Sequence, residues 1–213
     1  MAHALASPLV QLDSLRVLPV ADVPDGTDCA ALGDAMVRAG LPLLEVTLRR
    51  PGAIDTLAAL AADDRLLVGA GTVVNAGQAR DAIAAGARFV VSPGIDRDII
   101  QTCLDAAIPV VPGVATPSEI MIALGMGIDV VKFFPAAALG GVATIRAFSA
   151  PFPGVRFVPT GGIDMASAPT YLAEQSVLAI GGSWMVSTTL LRSGNWAEVT
   201  ALAAEASTLG GPR

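Results

Sequence analysis

Lys132 is the only lysine in the chain, every other basic side chain being arginine, and it lies in the run I-D-V-V-K-F-F-P from Ile128 to Pro135. An ammonium among valines and phenylalanines is costly to bury, because desolvation disfavours its charged form. Such a lysine is expected to be held partly neutral. A neutral amine is a nucleophile, and its most direct chemistry is imine formation with a carbonyl compound. The competing reading is structural, a strand lysine that snorkels to the sheet edge with its head in water.

A second set of chemical groups stands in Leu43-Leu44-Glu45-Val46-Thr47-Leu48-Arg49. Period-two alternation puts Leu44, Val46 and Leu48 on one face and Glu45, Thr47 and Arg49 on the other. A carboxylate and a guanidinium facing an interior are costly unless paired or used, so two readings stand. Glu45 and Arg49 form a structural ion pair, or Arg49 grips a substrate carboxylate while Glu45 moves a proton. Val130, Lys132 and Phe134 likewise share a face. If that face is inward, the amine meets Glu45 and Arg49.

Glycines supply the remaining signals. Gly69-Ala70-Gly71-Thr72 allows close backbone approach and then offers a hydroxyl, although a tight turn explains it equally. Pro159-Thr160-Gly161-Gly162 and Gly181-Gly182-Ser183 are two glycine pairs, each directly after an apolar strand-like run. Loops of this kind can bind phosphate through backbone N–H groups, with no lysine required.

Positioning these groups requires a repeated frame. Strand-like runs recur at Arg16 to Val20, Leu43 to Leu48, Arg65 to Gly69, Phe89 to Ser92, Ile108 to Val111, Asp129 to Phe134, Arg156 to Thr160 and Val177 to Ile180. Their starts fall about 20 to 27 residues apart, room for one strand, one helix and two short loops. Helical patterns fill the gaps at Asp28 to Ala39, Ala53 to Ala62, Ala76 to Ala85 and Asp96 to Ala107, then from Thr116 to Gly125 and from about Trp196 to Thr208. Eight βα units predict a compact α/β fold, a closed (β/α)8 TIM barrel. An open doubly wound sheet is the alternative, but no G-x-G-x-x-G follows the first strand. The expected organisation is one domain over 1–213, with 1–10 and 209–213 as tails.

Composition narrows the chemistry. With 213 residues, 53% hydrophobic and a net charge of −6, the chain can bury a sizeable core and carries no basic surface for nucleic acid or an anionic membrane. Its only histidine is His3, and Cys29 and Cys103 stand far apart, which argues against a His-dependent triad and a thiol or imidazole metal site. No cofactor or metal is expected. Met1 to Pro8 holds no basic residue ahead of an apolar run, and no stretch has the length of a spanning helix, so a cytoplasmic protein is expected.

L-L-E-V-T-L-R (43 to 49), V-G-A-G-T-V (68 to 73), S-P-G (92 to 94), V-P-G-V-A-T-P-S-E (111 to 119), V-K-F-F-P-A (131 to 136), P-T-G-G-I (159 to 163) and I-G-G-S-W (180 to 184) occur in that order over nearly the whole chain. Together they resemble the 2-dehydro-3-deoxy-phosphogluconate (KDPG) and 4-hydroxy-2-oxoglutarate (KHG) aldolase family. The resemblance implies a metal-independent lyase that forms a Schiff base, with Lys132 as the imine-forming amine and Glu45 as general acid and base. It further implies that Arg49 binds a carboxylate, that Thr72 and Pro93 contact substrate, and that Gly161, Gly162, Gly182 and Ser183 hold phosphate. Phe134, on the face of Lys132, and Thr160, which opens the first glycine pair, complete the expected substrate-contacting set. The implied reaction cleaves 2-dehydro-3-deoxy-6-phosphogluconate to pyruvate and glyceraldehyde 3-phosphate, and the implied assembly is a homotrimer. KHG, the galactonate epimer, or sugar-phosphate binding without catalysis are the alternatives. Two departures bear on substrate choice. Ala137-Ala138-Leu139 replaces residues that are often acidic or amide in the family, and Ala21-Asp22 stands where some members have an arginine.

Overall fold

The computed structural model describes residues 7–210; His3 lies outside them. Nine strands are present among the described residues: β1 Val17–Ala21, β2 Leu43–Thr47, β3 Leu67–Gly71, β4 Val90–Val91, β5 Val110–Val111, β6 Gly113–Val114, β7 Val130–Phe133, β8 Arg156–Phe157 and β9 Ile180–Gly182. All named pairings are parallel, in the orders β5-β4-β3-β2-β1-β9 and β6-β7-β8. β5 and β6 are one barrel strand interrupted at Pro112. Proline has no N–H to give the ladder, but its carbonyl accepts from Lys132 N at 2.9 Å and joins the two sheets. Parallel bridges Phe157↔Val177 and Thr160↔Gly181 close β8 onto β9. The expected eight-stranded barrel is therefore found, and the open-sheet alternative is not.

Around it run α1 Pro8–Leu15, α2 Cys29–Arg38, α3 Ala53–Ala61, α4 Ala76–Ala84, α5 Arg97–Asp105, α6 Pro117–Gly125, α7 Gly141–Ser149, α8 Ala168–Leu172, α9 Thr188–Ser193 and α10 Trp196–Ser207. Side-chain caps fix several of their starts. Asp28, Asn75 and Asp96 accept from backbone N–H groups three residues on, and Thr116 Oγ1 accepts from Glu119 N–H while the Glu119 carboxylate accepts from Ala115 N–H and the Thr116 hydroxyl. α6 ends at Gly125, where the sequence reading ended it. The left-handed turn that ends it belongs to Gly127, at φ 80°.

Alternation along the strands sorts the side chains into two cores. Leu44, Val46, Val68, Val131 and Phe133 face the helices, while Leu18, Leu43, Leu67, Phe89, Val130 and Leu178 fill the barrel's lower interior. Strand boundaries shift from the sequence reading, β3 and β9 at their starts among them. β3 begins at Leu67 rather than Arg65, because Asp63, Asp64 and Arg65 form the turn that precedes it, with Asp63 accepting from Arg65 N–H and guanidinium. β9 begins at Ile180, with Val177 making only a bridge.

The N-terminal boundary needs correction. Residues 8–10, expected in a tail, are the first turn of α1, which packs Leu12 into the lower interior beside Leu18 and Leu43. Proline at the first helical position accounts for the start. Arg16 ends the helix in a left-handed conformation, φ 61°, and donates to the carbonyls of Leu172 and Val177 across the barrel's lower end. α1 is thus the floor of the barrel. Leu12→Ala is expected to lower stability by about 2–4 kcal/mol in denaturant titration; an unchanged midpoint would mean that α1 does not seal the interior.

Candidate active site

The C-terminal ends of the strands carry the polar groups. Glu45 on β2 and Lys132 on β7 project into the interior just above the apolar layer, and their side chains are 0% and 7% exposed. Lys132 Nζ donates to Glu45 Oε1 at 3.2 Å and lies 5.4 Å from the centre of the Phe134 ring, within cation–π range. Glu45 Oε2 and Thr47 Oγ1 are buried and make no hydrogen bond to protein. Free lone pairs and a hydroxyl at such depth suit a ligand or water, since buried polar atoms are otherwise satisfied.

Backbone registers explain why these side chains fit. Glu45 pairs with Gly69 and Thr47 with Gly71 on β3, while Lys132 pairs with Gly113 on β6. A Cβ at Gly71 would collide with the Glu45 carboxylate, one at Gly69 with the Phe89 ring, and one at Gly113 with the Pro93 carbonyl. Glycine at these positions makes room for the carboxylate, for the ring below it, and for the loop after β4.

Of the two readings of 43–49, the structural Glu45–Arg49 ion pair is not found. Glu45 is paired with Lys132. Arg49, two residues past β2, is exposed, and its Nε donates to Thr72 Oγ1 at 3.3 Å. Thr72 adopts φ 56°, a left-handed conformation that costs a threonine on the order of 1–3 kcal/mol. The turn that follows β3 thereby brings its hydroxyl to the guanidinium.

A cavity of about 280 Å³ opens above this layer. Arg49, Phe134, Thr160, Gly161, Gly162, Gly182 and Ser183 all line it. Lys132 and Glu45 lie beneath, around a void of about 10 Å³ that Thr160 also lines. Thr160 thus borders both spaces. Pro93 does not line the cavity; it reaches the site by packing its carbonyl against Gly113.

Gly161 and Gly162 have φ 98° and 73°, which only glycine adopts readily. The N–H groups of Gly161, Gly162 and Ser183 donate to no protein acceptor among the described residues, so they are available to an anion. Ala137, one of the departures from the family pattern, packs against Gly162 and donates its N–H to Gly161 O at 3.1 Å.

Sequence reasoning missed four contributors. Asp22, Ser187 and Thr188 line the cavity, and Arg50 holds Asp22 from behind through two hydrogen bonds. Asp22 directly follows β1, so the rule that polar groups gather at the C-terminal ends of barrel strands marks it. Ser187 and Thr188 follow a short 3-10 turn, Trp184–Val186, that no periodicity announces. Among the described residues there is no group of three or more His, Cys, Asp or Glu placed to hold a metal.

Three comparisons bear on this geometry. A family model described as KDPG and KHG aldolase matches residues 10–202. The chain is 43% identical over 192 residues to 2-dehydro-3-deoxy-phosphogluconate aldolase of Treponema pallidum, covering 90% of this chain and 91% of that protein. It is 40% identical to KDPG aldolase of Legionella pneumophila, solved with pyruvate captured at low pH as a covalent carbinolamine intermediate, with a TM-score of 0.90 over 97% and 99% of the two chains. The Zymomonas mobilis aldolase solved with 3-phosphoglycerate is 39% identical, with a TM-score of 0.89 over 96% and 97%.

The packing makes a prediction about Gly71. Gly71→Ala is expected to cost about 1–3 kcal/mol by overpacking, and markedly less in a Glu45→Ala background, where the carboxylate is gone. Equal losses in the two backgrounds, measured by denaturant unfolding, would mean that the methyl finds room without touching Glu45.

Proposed function

The chain belongs to the KDPG and KHG aldolase family, and from that premise we propose that Lys132 and Glu45 carry its carbon–carbon cleavage. The protein is a lyase that works through a covalent imine rather than a bound cofactor. The observation that carries the residue assignment is the buried 3.2 Å contact between the single lysine and a carboxylate with one unpaired oxygen.

Each step follows from reach. Glu45 Oε1 can take a proton from Nζ, which frees the amine to attack the C2 ketone of 2-dehydro-3-deoxy-6-phosphogluconate. Glu45 returns that proton to the carbinolamine hydroxyl, which leaves as water to give a protonated imine and restores the carboxylate. Glu45 then accepts the C4 hydroxyl proton, directly or through a water, as the C3–C4 bond breaks and its electrons move into the imine. Glyceraldehyde 3-phosphate leaves, the enamine is protonated at C3, and hydrolysis returns pyruvate and the amine.

Arg49, steadied by Thr72, is the group we assign to the substrate carboxylate, which sets the ketone against the amine. Gly161, Gly162, Gly182 and Ser183 are assigned to the phosphate, and Phe134 and Thr160 to the chain between. Pro93 shapes the wall through Gly113. A barrel that only bound sugar phosphate would have no use for an ammonium and a carboxylate in contact at the bottom of its site. KHG needs no phosphate loop, so the free N–H groups of Gly161, Gly162 and Ser183 favour the phosphorylated substrate.

We also assign the protein to the cytoplasm as a homotrimer. No helix among the described residues is long and apolar enough to cross a membrane, both cysteines are free thiols, and α6 exposes Met121 at 63% and Leu124 at 40%, an apolar face suited to a second copy. Sedimentation equilibrium is expected to give three times the protomer mass; a single protomer mass would remove the trimer.

Incubation with pyruvate and borohydride is expected to add one reduced pyruvate at Lys132, seen by intact mass and peptide mapping and absent from Lys132→Ala. Only that side chain and the N-terminal amine can form an imine, so a folded sample with no adduct at Lys132 would overturn the assignment. Glu45→Gln is expected to lower kcat by about a hundredfold or more. An unchanged kcat would remove Glu45 from proton transfer.

A further inference from the structure

Asp22 is the only acidic side chain lining the 280 Å³ cavity among the described residues. A carboxylate beside a phosphate site is unfavourable unless its charge is cancelled, and here it is. Arg50 Nε donates to Asp22 Oδ1 at 2.7 Å and Arg50 Nη2 to Oδ2 at 2.8 Å, a bidentate fork on a half-buried pair. Asp25 adds a weaker attraction on the same guanidinium. The Asp22 carbonyl accepts from Thr188 Oγ1 at 3.3 Å, which ties the pair to the segment after β9 and hence to Ser183.

Arg50 does not itself line the cavity, whereas Asp22 does. The guanidinium therefore reaches the cavity only as a field, and Asp22 stands in front of it. Resting on the phosphate assignment above, we propose that the Asp22–Arg50 pair sets the affinity of the phosphate end by masking one charge with the other. Phosphate is then held there by uncharged N–H and hydroxyl donors, with Asp22 and Arg50 acting as specificity-determining residues for the distal group.

The sign of each perturbation follows from charge. Asp22→Asn removes the mask and leaves Arg50 positive beside the phosphate site. Arg50→Ala leaves Asp22 negative on the cavity wall. Across a solvated cavity, one unit charge acting on a phosphate dianion changes binding by about fivefold.

Inorganic phosphate, as a competitive inhibitor of cleavage, is the probe. Its inhibition constant is expected to tighten about fivefold in Asp22→Asn, to weaken about fivefold in Arg50→Ala, and to return near the wild-type value in the double variant. Arg50→Lys, which keeps the charge and loses the fork, is expected to stay within about twofold. Both single-variant shifts should shrink in high salt, which screens exposed charges and leaves packing defects unchanged. Pyruvate trapping on Lys132 identifies the variants that have folded with a competent site.

Single variants that move the constant in the same direction, or shifts that ignore salt, would overturn the inference in favour of a structural pair. Competition in the wild type with unshifted constants in folded Asp22→Asn and Arg50→Ala would overturn it while leaving the phosphate site intact. No competition by phosphate in the wild type would remove the phosphate site itself, and the inference with it.

Discussion

The contact between Lys132 and Glu45 is the constraint that the rest of the interior accommodates. Removing two charges from water costs several kcal/mol per ion, and only close mutual contact offsets it. Neither residue can therefore be buried without the other. Yet the site must leave room for a substrate above them, so the space cannot be closed with apolar side chains. The interior meets both demands by omitting side chains rather than by adding them. Gly69, Gly71 and Gly113 stand beside Glu45, Thr47 and Lys132 in the strand registers, and a methyl at any of the three would strike the carboxylate, Phe89 or Pro93.

That economy divides the barrel into an apolar lower half and a polar upper half. Below, Leu18, Leu43, Leu67, Phe89 and Val130 pack on one another, and α1 brings Leu12 under them. Above, the glycine turn after β8 and Ser183 after β9 leave backbone N–H groups unpaired at the cavity wall. Stability is concentrated at the floor and chemistry at the mouth, the usual division of labour in this fold. Thr72 is where the two meet, a threonine in a left-handed turn whose strain is borne by the packed strand that precedes it.

Most of the frame was legible because its signals are local. Period-two alternation in 43–49 separated Leu44 and Val46 from Glu45 and Thr47, and the helical patterns read from Asp28, Ala76 and Thr116 begin within one residue of the observed caps at Asp28, Asn75 and Thr116. Which cation pairs with Glu45 was left open, since the alternation of 130–134 brought Lys132 to it only on the condition that their face was inward. Arg49 lies four residues from Glu45 and shares its alternation, whereas Lys132 is 87 residues away and meets Glu45 only because the barrel closes. α1 was missed for a related reason. A short segment at a chain end looks like a tail until the open lower end of a barrel gives Leu12 something to cover. Asp22 and Arg50 were each visible, but only the adjacency of β1 and β2 makes them a pair.

On the assignments proposed above, the two ends of the cavity hold their anions by different means, and the chemistry gives a reason. The carboxylate end must hold pyruvate through imine formation, cleavage and hydrolysis, and a guanidinium steadied by Thr72 supplies a charged grip that lasts through all of them. The phosphate end belongs to the fragment that departs halfway through the cycle. Binding it with a bare arginine would deepen the complex with product as much as the complex with substrate, and uniform binding of that kind does not lower the barrier to cleavage. Backbone donors, with Arg50 screened by Asp22, give recognition of the phosphate without that excess. On this reading a carboxylate in a phosphate pocket is what lets the phosphorylated aldehyde leave while the enamine stays.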